Sequence, residues 1–224
     1  MVFYIINEDF HKIPENLSFE QAALVEPMGI AAYAILGKAG VRTGDFVVIL
    51  GTGPIALLAL QMVKAAGASR VVTTGLDADE DSRFKAARAF GADMTINAQR
   101  KDPVALIKEA TGGKGVDLVI DLSGAPSAIL SGFKMLKKDG RFCAIGLPYG
   151  NVDFPWAEAV LGAYTVFFSF SSDFRAWEQC LQMMSQGKIK ADGFTDNCFS
   201  LDDWSKALDT ARSGKALKVI IKPS

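Results

Sequence analysis

Apolar residues in this chain fall into two kinds of run, which take turns along the sequence. Phe46 to Leu50, Arg70 to Thr74, Met94 to Ile96, Val116 to Asp121 and Arg141 to Ile145 are short blocks dominated by apolar residues, many of them β-branched. Such blocks suit parallel strands buried on both faces. Between them, Ile55 to Ala66, Arg83 to Phe90, Pro103 to Thr111 and Ser127 to Leu136 read as helices, and Gly67, Gly91 and Gly112 are natural stops for the first three. Gly75 to Ser82 reads as an acidic loop closed by Asp81 or Ser82 as a helix cap, and Lys137 to Gly140 as a turn. Strands that alternate with helices predict an α/β fold, a Rossmann doubly wound parallel sheet with helices on both faces.

The flanks follow a different pattern. Val2 to Ile6 is strand-like, and Lys12 to Glu15 is extended. Ser18 with Gln21 makes a capping box, so a helix starts near Phe19 and is interrupted at Glu26-Pro27. Met28 to Leu36 is a further apolar helix that stops near Gly37, and Gly40 to Gly44 is a turn. Beyond the last block, Trp156 to Leu161 is a short helix and Tyr164 to Phe170 an apolar strand. Phe174 to Gln186 and Leu201 to Arg212 are helices, the second capped by Ser200 with Asp203 in its first turn, and Leu217 to Lys222 is a closing strand. A bare apolar edge strand invites aggregation, so Tyr164 to Phe170 is expected to pair with a second copy of the chain as a homo-oligomer. Trp156, Trp177 and Trp204 are assigned to packing.

One junction carries candidate chemistry. Gly51-Thr52-Gly53-Pro54-Ile55-Ala56 joins the Phe46 to Leu50 strand to the following helix and fits G-x-G-x-x-G/A. Gly51 can take the dihedrals of a tight turn. Gly53, lacking a Cβ, lets a pyrophosphate approach the backbone. Pro54 suits an early helical position, and Ala56 lets helix and strand lie close. The helix N-terminus then offers free N–H groups to an anion. Phe46 to Val63 is nearly free of polar side chains, but two glycines and a proline divide it into two elements rather than one membrane span.

Composition narrows the classes. The chain has 224 residues, half of them hydrophobic, and a net charge of −1. Neither a nucleic-acid surface nor an anionic membrane surface is indicated. Cys143, Cys180 and Cys198 are odd in number and far apart, which fits free thiols in a reducing, cytoplasmic setting and gives no zinc-ligand spacing. The only histidine is His11. Asp77 to Asp81 lacks the glycine and the final acid of a calcium loop, since Ser82 and Arg88 stand there. It reads as a solvated helix entrance, with Arg83 the only nearby base. No tyrosine has a lysine four residues on, which removes a Tyr-x-x-x-Lys dehydrogenase.

Several motifs together resemble the medium-chain, zinc-type alcohol dehydrogenase family, in its polyol (sorbitol) and threonine dehydrogenase branch. They are Lys12-Ile13-Pro14-Glu15-Asn16-Leu17-Ser18, Ala22-Ala23-Leu24-Val25-Glu26-Pro27, the glycine turn, Phe90-Gly91-Ala92-Asp93, Leu122-Ser123-Gly124, Ile145-Gly146-Leu147 and Lys218-Val219-Ile220-Ile221-Lys222-Pro223. The resemblance implies hydride transfer between an alcohol and a nicotinamide cofactor. It implies that 1–30 and the returning 173–224 are a remnant of the catalytic domain formed by the two termini, and that 31–172 is the Rossmann domain. It also implies that the family's N-terminal catalytic half, with its zinc cysteine and Gly-His-Glu motif, is missing from this sequence. Glu26 corresponds to the family's glutamate near the catalytic zinc and is expected to be a remnant, with no metal bound and no catalytic residue assigned.

The resemblance places the cofactor on Gly51, Gly53, Pro54, Ile55, Ala56, Gly75, Arg83, Ser123, Ile145, Gly146, Leu147, Ser169, Phe170 and Ser171. The position where an acid commonly meets the ribose hydroxyls of NAD falls on Gly75, which opens the way to NADP. The acids of 77–81 work against a phosphate, so NAD is slightly favoured over NADP. A dehydrogenase acting on a small alcohol or polyol, once the missing half is supplied, stands beside a non-catalytic NAD(P)-binding module that acts with a partner. A Rossmann-like methyltransferase fits the tail poorly.

Overall fold

The computed structural model describes residues 10–223. The strand expected at Val2 to Ile6 lies outside them. Six strands form one sheet: β1 (Phe46–Leu50), β2 (Arg70–Gly75), β3 (Met94–Asn97), β4 (Val116–Asp121), β5 (Leu136–Ala144) and β6 (Thr165–Phe168). Their order is β3-β2-β1-β4-β5-β6 and every pairing is parallel. The order reverses between β1 and β4, so the loops leaving their carboxyl ends diverge and leave a crevice there. Leu50 pairs with Thr74 on one side and Asp121 on the other, which brings three strand ends level at that crevice.

The alternation of side chains along β1 explains why its sequence is apolar throughout. Val47 and Ile49 pack with Leu57, Leu58 and Met62 of α3 (Pro54–Ala65) on one face. Val48 and Leu50 pack on the other face, in a core that includes Ile107 of α5 (Pro103–Ala110) and Phe133 of α6 (Pro126–Met135). All four strand residues are fully buried. The first face is closed further by α4 (Arg83–Ala89), α2 (Val25–Ala32) and α8 (Phe174–Ser185). A Cβ on Gly29 would lie 2.9 Å from the Trp177 indole, so α2 and α8 cross at a distance that needs glycine.

The entry segment differs from its sequence expectation. The capping box at Ser18 and Gln21 is present, but α1 (Phe19–Ala22) ends before Glu26-Pro27, and those two residues lie in the first turn of α2. A proline in the first turn has no intrahelical partner to lose. The helix then widens into a π-helical turn, Tyr33–Ala39, and stops at left-handed Gly40, not at Gly37. The run 19–39 is the one helical stretch among the described residues that is long and apolar enough to cross a membrane. More than half of its apolar 18-residue window is buried in the protein.

Other boundaries moved for local reasons. Gly75 is the last residue of β2 rather than part of the loop. Lys137 to Gly140 belongs to β5, with a register irregularity opposite Val116 and Leu118 and positive φ at Asp139. α7 runs Trp156–Gly162. The apolar tail strand is Thr165–Phe168, shorter than 164–170. Leu201–Asp203 is a 3-10 turn ahead of α9 (Trp204–Arg212), and Ser200 donates its hydroxyl to the Asp203 carboxylate rather than capping backbone. The closing strand is Ile220–Lys222 (β8), paired in parallel with Cys198–Ser200 (β7), a partner that pattern alone did not reveal. Trp177 packs, its indole N–H donating to Ser172 Oγ at 2.9 Å, whereas Trp156 and Trp204 are exposed.

A buried ion pair fixes the turn that launches β1. Arg141 Nη2 lies 2.5 Å from Asp45 Oδ2, and Nη1 donates to the carbonyls of Ala39 and Gly40. Asp45 Oδ2 also accepts the Arg42 N–H at 2.7 Å. β5 is thereby tied to both the end of the π-helical turn and the start of β1.

Candidate functional site

The crevice is built on the loops that leave β1, β2, β4, β5 and β6. Gly51 follows β1 with φ +106°, a left-handed conformation only glycine adopts without strain. Gly53 is different. Its φ of −63° and ψ of 173° suit any residue, and a Cβ built there meets nothing within 4 Å. Neither backbone strain nor crowding inside the protein accounts for glycine at this position. Pro54 begins α3, and the first bond closing the helix runs from Leu57 N–H to Gly53 O at 3.0 Å. The N–H groups of Ile55 and Ala56 precede that bond and have no intrahelical acceptor.

Across the crevice, Asp121 at the end of β4 is fully buried. Its Oδ1 accepts the Ser123 hydroxyl at 2.7 Å and the Ser123 N–H at 3.0 Å. Burial pushes its carboxyl above the ordinary range, against the bonds from Ser123 and Gly124. The loops after β4 and β5 interlock. A Cβ on Gly146 would fall 2.3 Å from Gly124 N and 2.6 Å from Asp121 Oδ2, and one on Gly124 would fall 2.6 Å from Leu147 O. Gly146 is therefore glycine because the Asp121-to-Gly124 loop packs against it.

Two cavities of about 480 Å³ each meet at Gly53 and Leu122. One is lined by Gly51, Gly53, Gly75, Arg83 and Ser123, together with Thr52, Leu76, Asp79 and Ala98. The other is lined by Gly53, Pro54, Ile55, Ala56, Ile145, Gly146, Leu147, Ser169, Phe170 and Ser171, with Glu26 and Ile30. Every residue picked out from the sequence thus lines one cavity or the other. Each cavity also holds a buried polar atom with no partner among the described residues: Arg83 Nε in the first and Ser169 Oγ in the second. The sequence reading did not place at the site Leu122, which entered only within the Leu122-Ser123-Gly124 motif and sits where both cavities meet, or Asp79, which was counted only within an acidic run.

Within the acidic run Asp77 and Asp81 are exposed, as a solvated helix entrance requires, but Asp79 is buried, and Arg83 is not the only base near the run. Asn97, buried at the end of β3, donates to Asp77 Oδ1 at 2.7 Å and to Glu80 Oε1 at 2.9 Å. Arg100 Nε lies 2.6 Å from Asp77 Oδ1. The Asn97 hydrogen bond, helped by Arg100, holds the Asp77 carboxyl below its ordinary range despite some desolvation. Asp79 is buried, with Oδ1 3.3 Å from Arg83 Nη1.

Among the described residues no three His, Cys, Asp or Glu side chains gather as a metal site. Glu26 is the only such residue lining the second cavity, and zinc takes about three protein ligands. The Cys143 and Cys180 thiols are pushed up to about 12 by burial, so they stay protonated at neutral pH. The described residues do not fit zinc. His11 instead stacks on Trp177 with centroids 5.2 Å apart and pairs with Glu178.

Residues 54–186 match the sequence family described as zinc-binding dehydrogenase. The chain belongs to that family. It is 33% identical over 223 residues to sorbitol dehydrogenase of Halalkalibacterium halodurans, a match covering 98% of this chain and 64% of that protein. L-threonine 3-dehydrogenase of Bacillus velezensis is 34% identical over 214 residues, covering 95% of this chain and 60% of the relative. Among solved structures, the alcohol dehydrogenase of Thermus sp. ATN1 superposes with a TM-score of 0.87 at 25% identity, over 96% of this chain and 62% of that one. The 2R,3R-butanediol dehydrogenase of Bacillus subtilis gives 0.84 at 28% identity, over 96% and 60%. The chain thus spans about three fifths of the length of these relatives.

Proposed function

We propose that this chain is the dinucleotide-binding part of an alcohol or polyol dehydrogenase. The observation that carries the reading is Gly53: a glycine with ordinary dihedrals and open space at its Cβ, at the N-terminus of α3, between two cavities. The reason for glycine there lies outside the protein, in an anion that needs to approach the backbone. A pyrophosphate at Gly53 would accept from the Ile55 and Ala56 N–H groups and gain from the α3 dipole. Its two nucleoside halves would then lie to either side, adenosine over Gly75 and Arg83, nicotinamide over Ser123, Ile145 to Leu147 and Ser169 to Ser171. The cofactor, when bound, supplies hydride chemistry. Ser169 Oγ offers a hydrogen bond to the nicotinamide side, and Asp121 orients the loop carrying Ser123. No catalytic residue is assigned among the described side chains.

Calorimetric titration with NADH and with NADPH tests this. Saturable binding of at least one is expected, with NADH the tighter. A flat titration with both would sink the reading. Turnover of sorbitol or another alcohol belongs to the whole length of the relatives, so the isolated chain is expected to bind cofactor without oxidising polyols.

The exposed strand β6 supports a second proposal, a homo-oligomer. β6 is a sheet edge, and Phe168, Phe170, Trp156 and Leu161 around it are exposed. Pairing of β6 with its twin would satisfy the edge and cover these rings. Sedimentation equilibrium should give twice the chain mass at micromolar concentration, and a monomer there would exclude it. We further propose that the protein is cytoplasmic.

A further inference from the structure

Gly75 ends β2, where a side chain would reach the adenosine cavity, and the fold forbids one. A Cβ built there lies 2.7 Å from Phe84 Cε1 and 2.8 Å from Asp79 Oδ2. The Phe84 ring is buried and cannot give way freely. The second contact is more informative than the first. It puts a carboxylate oxygen close to the distance at which an aspartate at position 75 would hold its own.

Asp79 reaches this spot by a short 3-10 turn, Asp77–Asp79, after β2. Its Oδ2 accepts the Leu76 N–H at 2.8 Å and Oδ1 lies 3.3 Å from Arg83 Nη1, so both oxygens are held in place. An ionised carboxylate has about four acceptor sites, and these two bonds leave some free. Asp79 is also the one acid of the run that lines the cavity. Asp77 and Glu80 are turned to Asn97 and Arg100.

We propose that Asp79 is the specificity-determining carboxylate of this site, taking the ribose 2′-hydroxyl of NAD and excluding the 2′-phosphate of NADP in place of the side chain that position 75 lacks. The proposal rests on the dinucleotide reading above and deepens it. A hydroxyl donates to the carboxylate, whereas a dianionic phosphate would meet its charge inside a partly closed cavity, where repulsion is less screened than in bulk water. Asp79 acts a second way by engaging Arg83, the one base lining the cavity, so that a phosphate would first have to take the guanidinium from it.

The test is the ratio of NADPH to NADH dissociation constants, measured by calorimetry on the full chain and on Asp79→Asn, Asp79→Ser and Asp77→Asn. Both Asp79 variants keep an oxygen for the Leu76 N–H and lose the charge. In them the preference for NADH should shrink at least about tenfold, the scale of one hydrogen bond to a charged group. NADH should weaken while NADPH tightens. Asp77→Asn should leave the ratio unchanged. Asp79→Ser carries the test if Asp79→Asn fails to fold. Equal weakening of both cofactors would mean that Asp79 only shapes the turn, and an unchanged ratio would equally overturn the proposal. So would a wild-type chain that prefers NADPH. In these outcomes the dinucleotide reading survives, whereas a wild-type chain that binds neither cofactor removes both.

Discussion

A Gly53→Val chain folds with a melting temperature close to that of the wild type and binds neither NADH nor NADPH measurably. The two halves of this expectation have separate causes. Valine accepts φ −63° and ψ 173°, and its Cβ meets no protein atom within 4 Å. The cost to the fold is confined to a poorer helix cap, about 1 kcal/mol or less. Binding fails because the branched side chain stands over the first turn of α3, between the cavities. A pyrophosphate held off the Ile55 and Ala56 N–H groups loses charge-assisted bonds of about 1.5–3 kcal/mol each. The loss in affinity is then at least about 100-fold. Paired titration and thermal melts measure both halves. Wild-type affinity in Gly53→Val would move the pyrophosphate elsewhere, and a collapsed melting temperature would mean that the space around Gly53 is not open.

The largest effect on stability is expected at Arg141. Arg141→Met leaves Asp45 buried without its cation and strips the carbonyls of Ala39 and Gly40 of a donor. Removing one partner of a buried pair costs about 3–5 kcal/mol, a large share of the ~5–15 kcal/mol that holds a typical domain. Urea denaturation should show the midpoint falling steeply. Asp45→Asn placed on top of Arg141→Met should recover part of the loss, because no unpaired charge remains. A loss below about 1 kcal/mol for the single variant would show that water reaches the pair and that it behaves as a surface ion pair.

Much of this site was legible before the fold was known, and the reason is local. Gly51, Gly53, Pro54 and Ala56 act within one strand-to-helix junction, so their spacing in sequence is their geometry in space. The apolar blocks located β1 to β4 within one residue, because a strand buried on both faces admits few polar residues, but missed the first five residues of β5. Ile145 to Leu147 and Ser169 to Ser171 came from family resemblance, not from any physical pattern in those residues. Boundaries failed where a tertiary contact outweighed a local signal. Gly37 looked like a helix stop, yet the π-helical turn runs on to Gly40, whose carbonyl Arg141 holds from β5. Lys137 to Gly140 has turn composition but joins β5, where Leu136 pairs with Val116.

The sequence by itself determined that strands and helices alternate and that a glycine turn opens a helix after the first of the central strands. These follow from periodicity and from the backbone freedom of glycine and proline, which need no distant partner. The proposed preference for NAD over NADP rests on a different level. In sequence, Gly75 argued for a phosphate and the acids after it argued against one, which left only a slight balance toward NAD. Tertiary structure turns Asp77 and Glu80 to Asn97 and Arg100, lays Phe84 under Gly75, and brings the Asp79 carboxylate to where a side chain at 75 would have stood. Charge discrimination depends on where a carboxylate sits to within an ångström or so, and only the packing of the β2 loop against α4 and β3 fixes that.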